Sequence, residues 1–343
     1  MTSLPAEIKA HVRFANRSSR IGLLLVAVGL VVLATAPAWA DRITLRLLGE
    51  IFAYVALASL WNLLAGYAGL VSVGQQAFVG IGGYVLFLTA LWGGLNPLVG
   101  IPVAGAVAAL AAVPIILILL RLRGAYFTIG SWVVAEIFPQ VFQQVAAVGG
   151  GSGISLPAAV VKSIASARDT REFLIYWLGL ALVVVTVGGI VALLRTRWGL
   201  ALAAIRDNEL AARSNGIDVA RTRIVAFVVA ACATGMVGSL IFLQKLTVTP
   251  ASAFSINDWT VNVIFITVIG GIGRVEGPIV GTIVYFLLRQ FLADYGSIYI
   301  IALGVVAIAV MLKAPRGLWG FVADRWDWQV FPLVRRLGKT GER

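Results

Sequence analysis

The sequence predicts an all-α polytopic integral membrane protein of eight to ten spans, some of them short or broken at glycines, and three observations carry that expectation. Of its 343 residues, 60% are hydrophobic and only 12% charged, with a mean hydropathy of +0.96. A soluble domain carries about 25% charged residues. Apolar runs such as IGLLLVAVGLVVLATA and IYIIALGVVAIAVML recur along the chain, and about 20 apolar residues suffice for one helical crossing. The formal charge of +12 collects at the ends of these runs. That placement suits the bias of basic residues toward the cytoplasmic side rather than nucleic-acid binding.

The expected spans are 21–39, 47–66, 76–93, 98–120, 124–144, 173–195, 224–246, 260–272, 278–293 and 298–312. Residues 1–20 read as a cytoplasmic N-terminal tail, 21–312 as the transmembrane domain and 313–343 as a basic cytoplasmic tail. The first span follows KAHVRFANRSSR and ends in AWAD, a signal-peptide-like pattern; an uncleaved span is the expectation because many spans follow. The segments starting at 76, 260 and 278 are short and glycine-interrupted, a pattern tolerated where protein or a water-filled cavity covers the backbone. One side receives Lys9, Arg13, Arg17, Arg20, Arg121, Arg123, the arginines of 195–223, Arg274 and the tail from Lys313 onward. The other receives only Arg42, Arg46, Lys162, Arg168, Arg171 and Lys245, with Arg289. Both termini are therefore expected in the cytoplasm, with an even span count.

A single histidine, His11, and a single cysteine, Cys232, exclude an intramolecular disulfide and a Cys/His metal cluster. LGKTGE near the C-terminus lacks the first glycine of a phosphate-binding loop, since Leu333 stands there. No cofactor is expected on this chain. Trp326, Trp328, Phe331 and Val334 read instead as an interfacial face of the tail.

The longest inner loop, 196–223, gathers unusual polarity in AAIRDNELAARSNGID, residues 203–218. Asp207 or Asn208 is a good N-cap. Glu209 falls in the first turn and Arg213 in the last, which complements the helix dipole. Asn215-Gly216 suits a C-cap. The loop should thus hold a helix of about 7 residues, roughly 10 Å long. A helix that short needs a partner surface.

Glu136 lies roughly 18 Å into its span, where an acidic group costs about 2.5–3.5 kcal/mol on insertion scales. With Gln140 on or near the same face, it reads either as a polar lining of a translocation path or as a structural carboxyl satisfied by neighbouring helices. Ser72, Gln75 and Gln76 supply further polar groups. Gly80, Gly82 and Gly83 permit close helix packing, and a glycine-lined path is the alternative for them. Glu136 is also the residue on which a proton- or ion-driven secondary transporter would rest. A membrane enzyme finds no support, because no paired catalytic carboxylates or Ser/His arrangement occurs in the spans.

Four stretches in order resemble the permease subunits of branched-chain amino acid ABC importers, in particular the longer of that family's two permease types. They are GYAGLVSVGQQAFVGIGGY (66–84), LRGAYFTIGSWVVAEIF (122–138), WGLALAAIRDNELAARSNGID (198–218) and VIGGIGRVEGPIVGT (268–282), followed by APRGLWG. The resemblance covers about residues 47–320, and adjacent Gln75-Gln76, Arg274 and Glu276 depart from the family's usual residues. It implies that the short polar helix, with Ile205, Arg206, Asp207, Asn208, Glu209, Ala212, Arg213 and Gly216, couples to a cytoplasmic ATPase. It further implies a second homologous permease, two ATPases that bind ATP and Mg, an extracytoplasmic solute-binding protein and a prokaryotic plasma (inner) membrane. Ser72, Gln75, Gln76, Gly80, Gly83, Glu136 and Gln140 are the expected path residues.

Overall fold

The computed structural model describes residues 11–13, 17–165, 167–292, 298–314, 316–326, 330–331 and 336–338. Lys9, Trp328, Val334, Lys339 and Thr340, which enter the reading above, lie outside them. The chain is all-α. Its helices are α1 (Arg17–Thr35), α2 (Arg42–Asn62), α3 (Gln75–Leu91), α4 (Pro97–Leu119) and α5 (Ala125–Gln144). Then come α6 (Ala158–Ile164), α7 (Arg168–Arg195), α8 (Arg197–Asp207), α9 (Glu209–Ser214) and α10 (Val219–Lys245). The last are α11 (Pro250–Ala253), α12 (Asn262–Gly270), α13 (Glu276–Leu292), α14 (Ile298–Lys313) and α15 (Gly317–Trp326). Every expected span falls on a helix. Among the described residues, seven helical segments are long and apolar enough to cross a membrane, and α3 is a shorter apolar helix. Among the described residues, strand structure is confined to two small antiparallel pairs, His11–Arg13 with Arg336–Gly338 and Ile154–Ser155 with Thr247–Val248.

Local chemistry sets several helix starts. Asp41 accepts the Thr44 amide at 3.2 Å and opens α2. Asn96 accepts the Leu98 amide at 3.0 Å, and Pro97 follows at the first helical position of α4, where its missing N–H costs nothing. α2 ends differently. Its last turn widens into a π-helix over Leu63–Tyr67, a form found mostly as single-turn bulges near functional sites.

Small residues hold the centre together. Gly100, Ala104, Ala108 and Ala112 recur every four residues on α4, so they share one face. All four are buried, and Ala104 and Ala108 lie against Gly235 of α10. On the other side of α10, a Cβ on Gly238 would enter the Val79 backbone, and one on Gly82 would enter the Gly235 carbonyl. Backbones this close are the usual product of small-residue interfaces in membranes, where tight van der Waals contact replaces a hydrophobic driving force. α1 and α14 are the converse: Leu24, Val31, Ile301 and Leu312 are exposed. Such faces suit contact with lipid tails.

The C-terminal segment does not stand apart from the bundle. α15 seats on the α12–α13 turn, where Gly317 meets Gly271 backbone to backbone. The Val330 and Phe331 amides donate to Glu276 Oε1 at 3.1 and 2.9 Å. Glu276, at the start of α13, is thereby satisfied although buried.

Candidate functional site

The polar loop between α7 and α10 folds into two helices. α8 ends at Asp207 because Asn208 turns extended (φ −158°, ψ 106°) and caps α9 instead, its side chain accepting the Ala211 amide at 3.0 Å. α9 is six residues long, and Gly216 closes it in the left-handed conformation at φ +79°. The Gly216 and Ile217 amides return to Arg213 O and Ala212 O at 2.9 and 3.1 Å. This pattern satisfies the carbonyls that a helix end leaves orphaned.

Beneath the rod lies a small apolar cluster of Ile205, Ala212 and Val219, each at most 3% exposed. Ile205 and Ala212 therefore face inward and hold α8, α9 and the start of α10 together. Leu210 faces away, 78% exposed, with Asp207, Asn208 and Arg213 also exposed around it. Sequence reasoning missed Leu210. Its signal is a lone large apolar residue on an otherwise charged short helix.

Two arginines join α8 and α9 to the bundle. Arg206 Nη1 donates to the Gly66 carbonyl at 3.1 Å, inside the π-helical turn of α2, while its Nε reaches Asp207 at 2.9 Å. Arg223 Nη1 pairs with Glu209 Oε2 at 3.0 Å, and its Nε donates to Ala68 O at 3.4 Å. Arg213 Nη2 holds the other Glu209 oxygen at 2.7 Å. Partial burial pushes the Glu209 carboxyl up, but the Arg223 and Arg213 guanidiniums outweigh it and hold the group below its ordinary range.

The chain of contacts continues past α2. Buried Asn62 accepts the Gly273 amide at 2.8 Å and donates to Arg274 O at 2.8 Å. Gly66 sits directly on Gly273: a Cβ at Gly66 would lie 2.6 Å from the Gly273 nitrogen. One polar node thus links α9, the end of α2 and the α12–α13 turn. A cavity of about 410 Å³ opens beside it, lined by Gly69, Arg123, Gly124, Thr128, Arg213 and Arg223 among others.

The expected path residues differ in their surroundings. Ser72, Gln75 and Gln76 are buried where the α2–α3 connection enters the core. Gln75 Nε2 donates to Leu57 O at 3.0 Å, and Gln76 Oε1 accepts from Thr260 Oγ1. Gln75 Oε1, Gln76 Nε2 and the nearby hydroxyls of Ser59 and Tyr84 have no partner among the described residues. Glu136 and Gln140 lie instead on the outward face of α5, half-buried and exposed respectively. Glu136 accepts from Trp132 Nε1 at 3.2 Å, one turn back on its own helix. α5 is also tied to the α2–α3 connection: Ser131 Oγ accepts the Val73 amide at 2.9 Å, and Thr128 Oγ1 donates to Val71 O at 2.9 Å. Gly80 and Gly83 are filled against the rings of Phe254 and Phe242. Phe254 belongs to an aromatic cluster with Tyr84, Phe138 and Phe142 that the sequence did not announce.

Residues 43–315 match the family described as the permease component of the branched-chain amino acid transport system. The chain is 29% identical over 317 residues to the high-affinity branched-chain amino acid transport system permease protein LivM of Escherichia coli (strain K12), covering 86% of this chain and 74% of that one. The protein of the same name from Salmonella typhimurium is 28% identical over the same shares. The probable branched-chain amino acid transport permease protein LivH of Methanocaldococcus jannaschii is 26% identical over 171 residues, 46% of this chain and 49% of that one. No solved structure matches this chain.

Proposed function

The chain belongs to the branched-chain amino acid transport permease family, and from that premise we propose that it is the membrane-spanning subunit of an ATP-driven importer for branched-chain amino acids or related small amino acids and amides. It works beside a second, homologous permease. Two cytoplasmic ATPases bind ATP and Mg and drive it, and an extracytoplasmic binding protein delivers the solute. This chain itself hydrolyses nothing.

The observation that carries this reading is the construction of α9. A six-residue helix is unstable alone. This one is capped at both ends, floored by Ile205 and Ala212, and tied through Glu209 and Arg223 to the end of α2, beside the Arg206–Gly66 bond of α8. It presents Leu210 and its charged neighbours outward. A rod built in this way bears load: a push on Leu210 reaches α2 and the α12–α13 turn through named hydrogen bonds. The carboxylate that a proton-driven carrier would use, Glu136, is held by a tryptophan of its own helix on an open face, which supports the ATP-driven reading.

The test is reconstitution of the full assembly, comparing wild type with Leu210→Asp. A negative charge at the exposed knob is expected to release the ATPases and to cut ATP-dependent leucine uptake at least tenfold, with the melting temperature of the permease unchanged. Uptake that survives in the variant, or that collapses with a protonophore at constant ATP, would overturn the reading.

A further inference from the structure

A crevice of about 280 Å³ lies between α2, α7 and α10. It opens where three spans end together: α2 begins at Arg42, α7 begins at Arg168 and α10 stops at Lys245. Arg46, on its rim, precedes Gly66 by 20 residues, or about 30 Å of helix. The crevice and the Arg206–Gly66 contact therefore lie toward opposite ends of α2. Its lining follows α2 from Arg46 to Ala53 and α7 from Arg171 to Gly179, so it runs about 10 Å along the spans. Ala53, Ile175, Gly179 and Leu240 make the deep part apolar.

The rim is basic. Glu172 is already charge-paired, since its Oε1 accepts from Arg46 Nη2 at 2.6 Å and from Arg168 Nε at 3.4 Å. The neighbouring carboxylate, Asp169, pairs with Arg42 at 2.5 Å. Arg171 lines the crevice and has no ion-pair partner among the described residues. Three arginines, Arg46, Arg168 and Arg171, thus stand against one carboxylate, a net of two positive charges. One further group is unmet. Glu172 Oε2 is buried with no hydrogen-bond partner among the described residues. A buried acceptor without a donor is costly, and with the charge of Glu172 already balanced, a neutral donor suffices.

We propose that the crevice binds an anionic phospholipid whose headgroup carries free hydroxyls. The phosphodiester sits at Arg171 and Arg168, which are three residues apart and share one face of α7. A headgroup hydroxyl donates to Glu172 Oε2. The terminal torsion of a glutamate is soft, so a small turn presents that oxygen to the crevice. The first part of one acyl chain lies on the floor of Ala53, Ile175 and Leu240. A free anion would satisfy the arginines and leave the apolar depth empty, and an apolar chain alone would leave the charge unmet. A phospholipid supplies both in the order that a bilayer imposes, with the head at the span ends and the chain alongside. Basic pockets between spans are suited to such headgroups. Phe173 and Trp177, exposed on the adjoining face of α7, suit a membrane–water boundary at this depth. The volume holds a headgroup with the start of one chain, since a cavity of about 150 Å³ already admits benzene.

The experiment is native mass spectrometry of the full-length chain, released from detergent in the presence of phosphatidylglycerol and phosphatidylcholine with the same acyl chains. Wild type should retain one phosphatidylglycerol, with at least a tenfold preference over phosphatidylcholine. Phosphatidylmethanol has the same charge and no headgroup hydroxyl, and it should bind at least threefold more weakly than phosphatidylglycerol. Arg171 is half-exposed and unpaired, so Arg171→Ala should fold normally and still weaken phosphatidylglycerol at least tenfold. Arg123→Ala, which alters the other cavity, should leave that binding unchanged. Equal losses in the two variants would mean a diffuse attraction of a basic chain for anionic lipid and would overturn the proposal. So would phosphatidylethanolamine bound as tightly as phosphatidylglycerol, or phosphatidylmethanol bound equally well. Displacement of the lipid by millimolar inorganic phosphate would make the crevice a site for free anions and overturn it too.

Discussion

Arg206 donates from Nη1 to the carbonyl of Gly66, 3.1 Å away, so α8 grips the π-helical turn that ends α2. A guanidinium is a rigid fork of donors that cannot lose its charge. The contact therefore joins α8 to the end of α2 through a donor that stays charged.

Removing this grip should separate ATP use from transport. A hydrogen bond to a charged group contributes about 1.5–3 kcal/mol, or roughly ten- to hundredfold in an equilibrium. In the reconstituted assembly, Arg206→Ala is expected to retain at least half the wild-type ATPase rate and to lose about tenfold in leucine imported per ATP. Arg206→Lys should recover only part of that loss, because an ammonium cannot hold Gly66 O and Asp207 together with fork geometry. Equal losses of ATPase and uptake would assign Arg206 to ATPase docking instead.

The glycines packed at the end of α2 are expected to be less tolerant than Gly216 at the end of α9. A methyl at Gly66 would lie 2.5 Å from Asn62 Oδ1 and 2.6 Å from the Gly273 nitrogen, and the backbone part of that clash has no rotamer to relieve it. Overpacking of this kind costs about 1–3 kcal/mol. Gly216, at φ +79° with nothing within 4 Å of an added methyl, suffers only the conformational penalty, about 1–2 kcal/mol. Thermal unfolding in detergent should rank Gly66→Ala well below Gly216→Ala, and Gly82→Ala, aimed at the Gly235 carbonyl, below both.

The spans and the capped polar helix were legible because hydropathy and capping are local. Asn208, Glu209, Arg213 and Gly216 each announce a role within one helical turn, and the structure places them in those roles. α8 was not announced, since its eleven residues are too polar for a span and lie in what reads as a loop. The partners of Arg206 and Asn62 were illegible for another reason. They sit 140 and more than 200 residues away, and nothing local encodes a pairing at that distance. Gln75 and Glu136 both read as polar residues near apolar runs. Only the packing of α3 and α5 separates the first, buried in the core, from the second, on an open face.

Acid should loosen the rod at its Glu209 clasp. Arg223 and Arg213 hold this carboxyl below its ordinary value of 4.5. A group whose pKa is lowered by folding adds stability above its unfolded pKa and loses that contribution as pH falls through the folded one. Hydrogen exchange at the Ala211–Ser214 amides, corrected for intrinsic rates, should therefore be flat from pH 8 to about 5 and rise below about 4.5. The partial exposure of Glu209 limits the effect to about 1 kcal/mol or less. Glu209→Gln should be loose throughout and show no such step. A step of equal size in the variant would mean that another carboxylate governs the loop.

The open face of α5 should be covered by the second permease. Glu136 is half-buried and Gln140 exposed on this face. In a lone chain they would meet lipid, where an acidic group near mid-membrane costs about 2.5–3.5 kcal/mol. The Trp132 contact offsets only part of that. On α4, Leu110 is 73% exposed and purely apolar, so lipid covers it at no cost. In a chain whose single cysteine, Cys232, is replaced by alanine, Gln140→Cys and Leu110→Cys should both react with a membrane-permeant maleimide when this permease is alone. When the homologous permease is co-expressed, labelling at position 140 should fall at least fivefold while labelling at 110 stays constant. That contrast places the polar stripe of α5 at a seam between two permeases, where a solute can pass without crossing either one's core. Equal labelling at both positions would leave Glu136 facing lipid and remove it from the path.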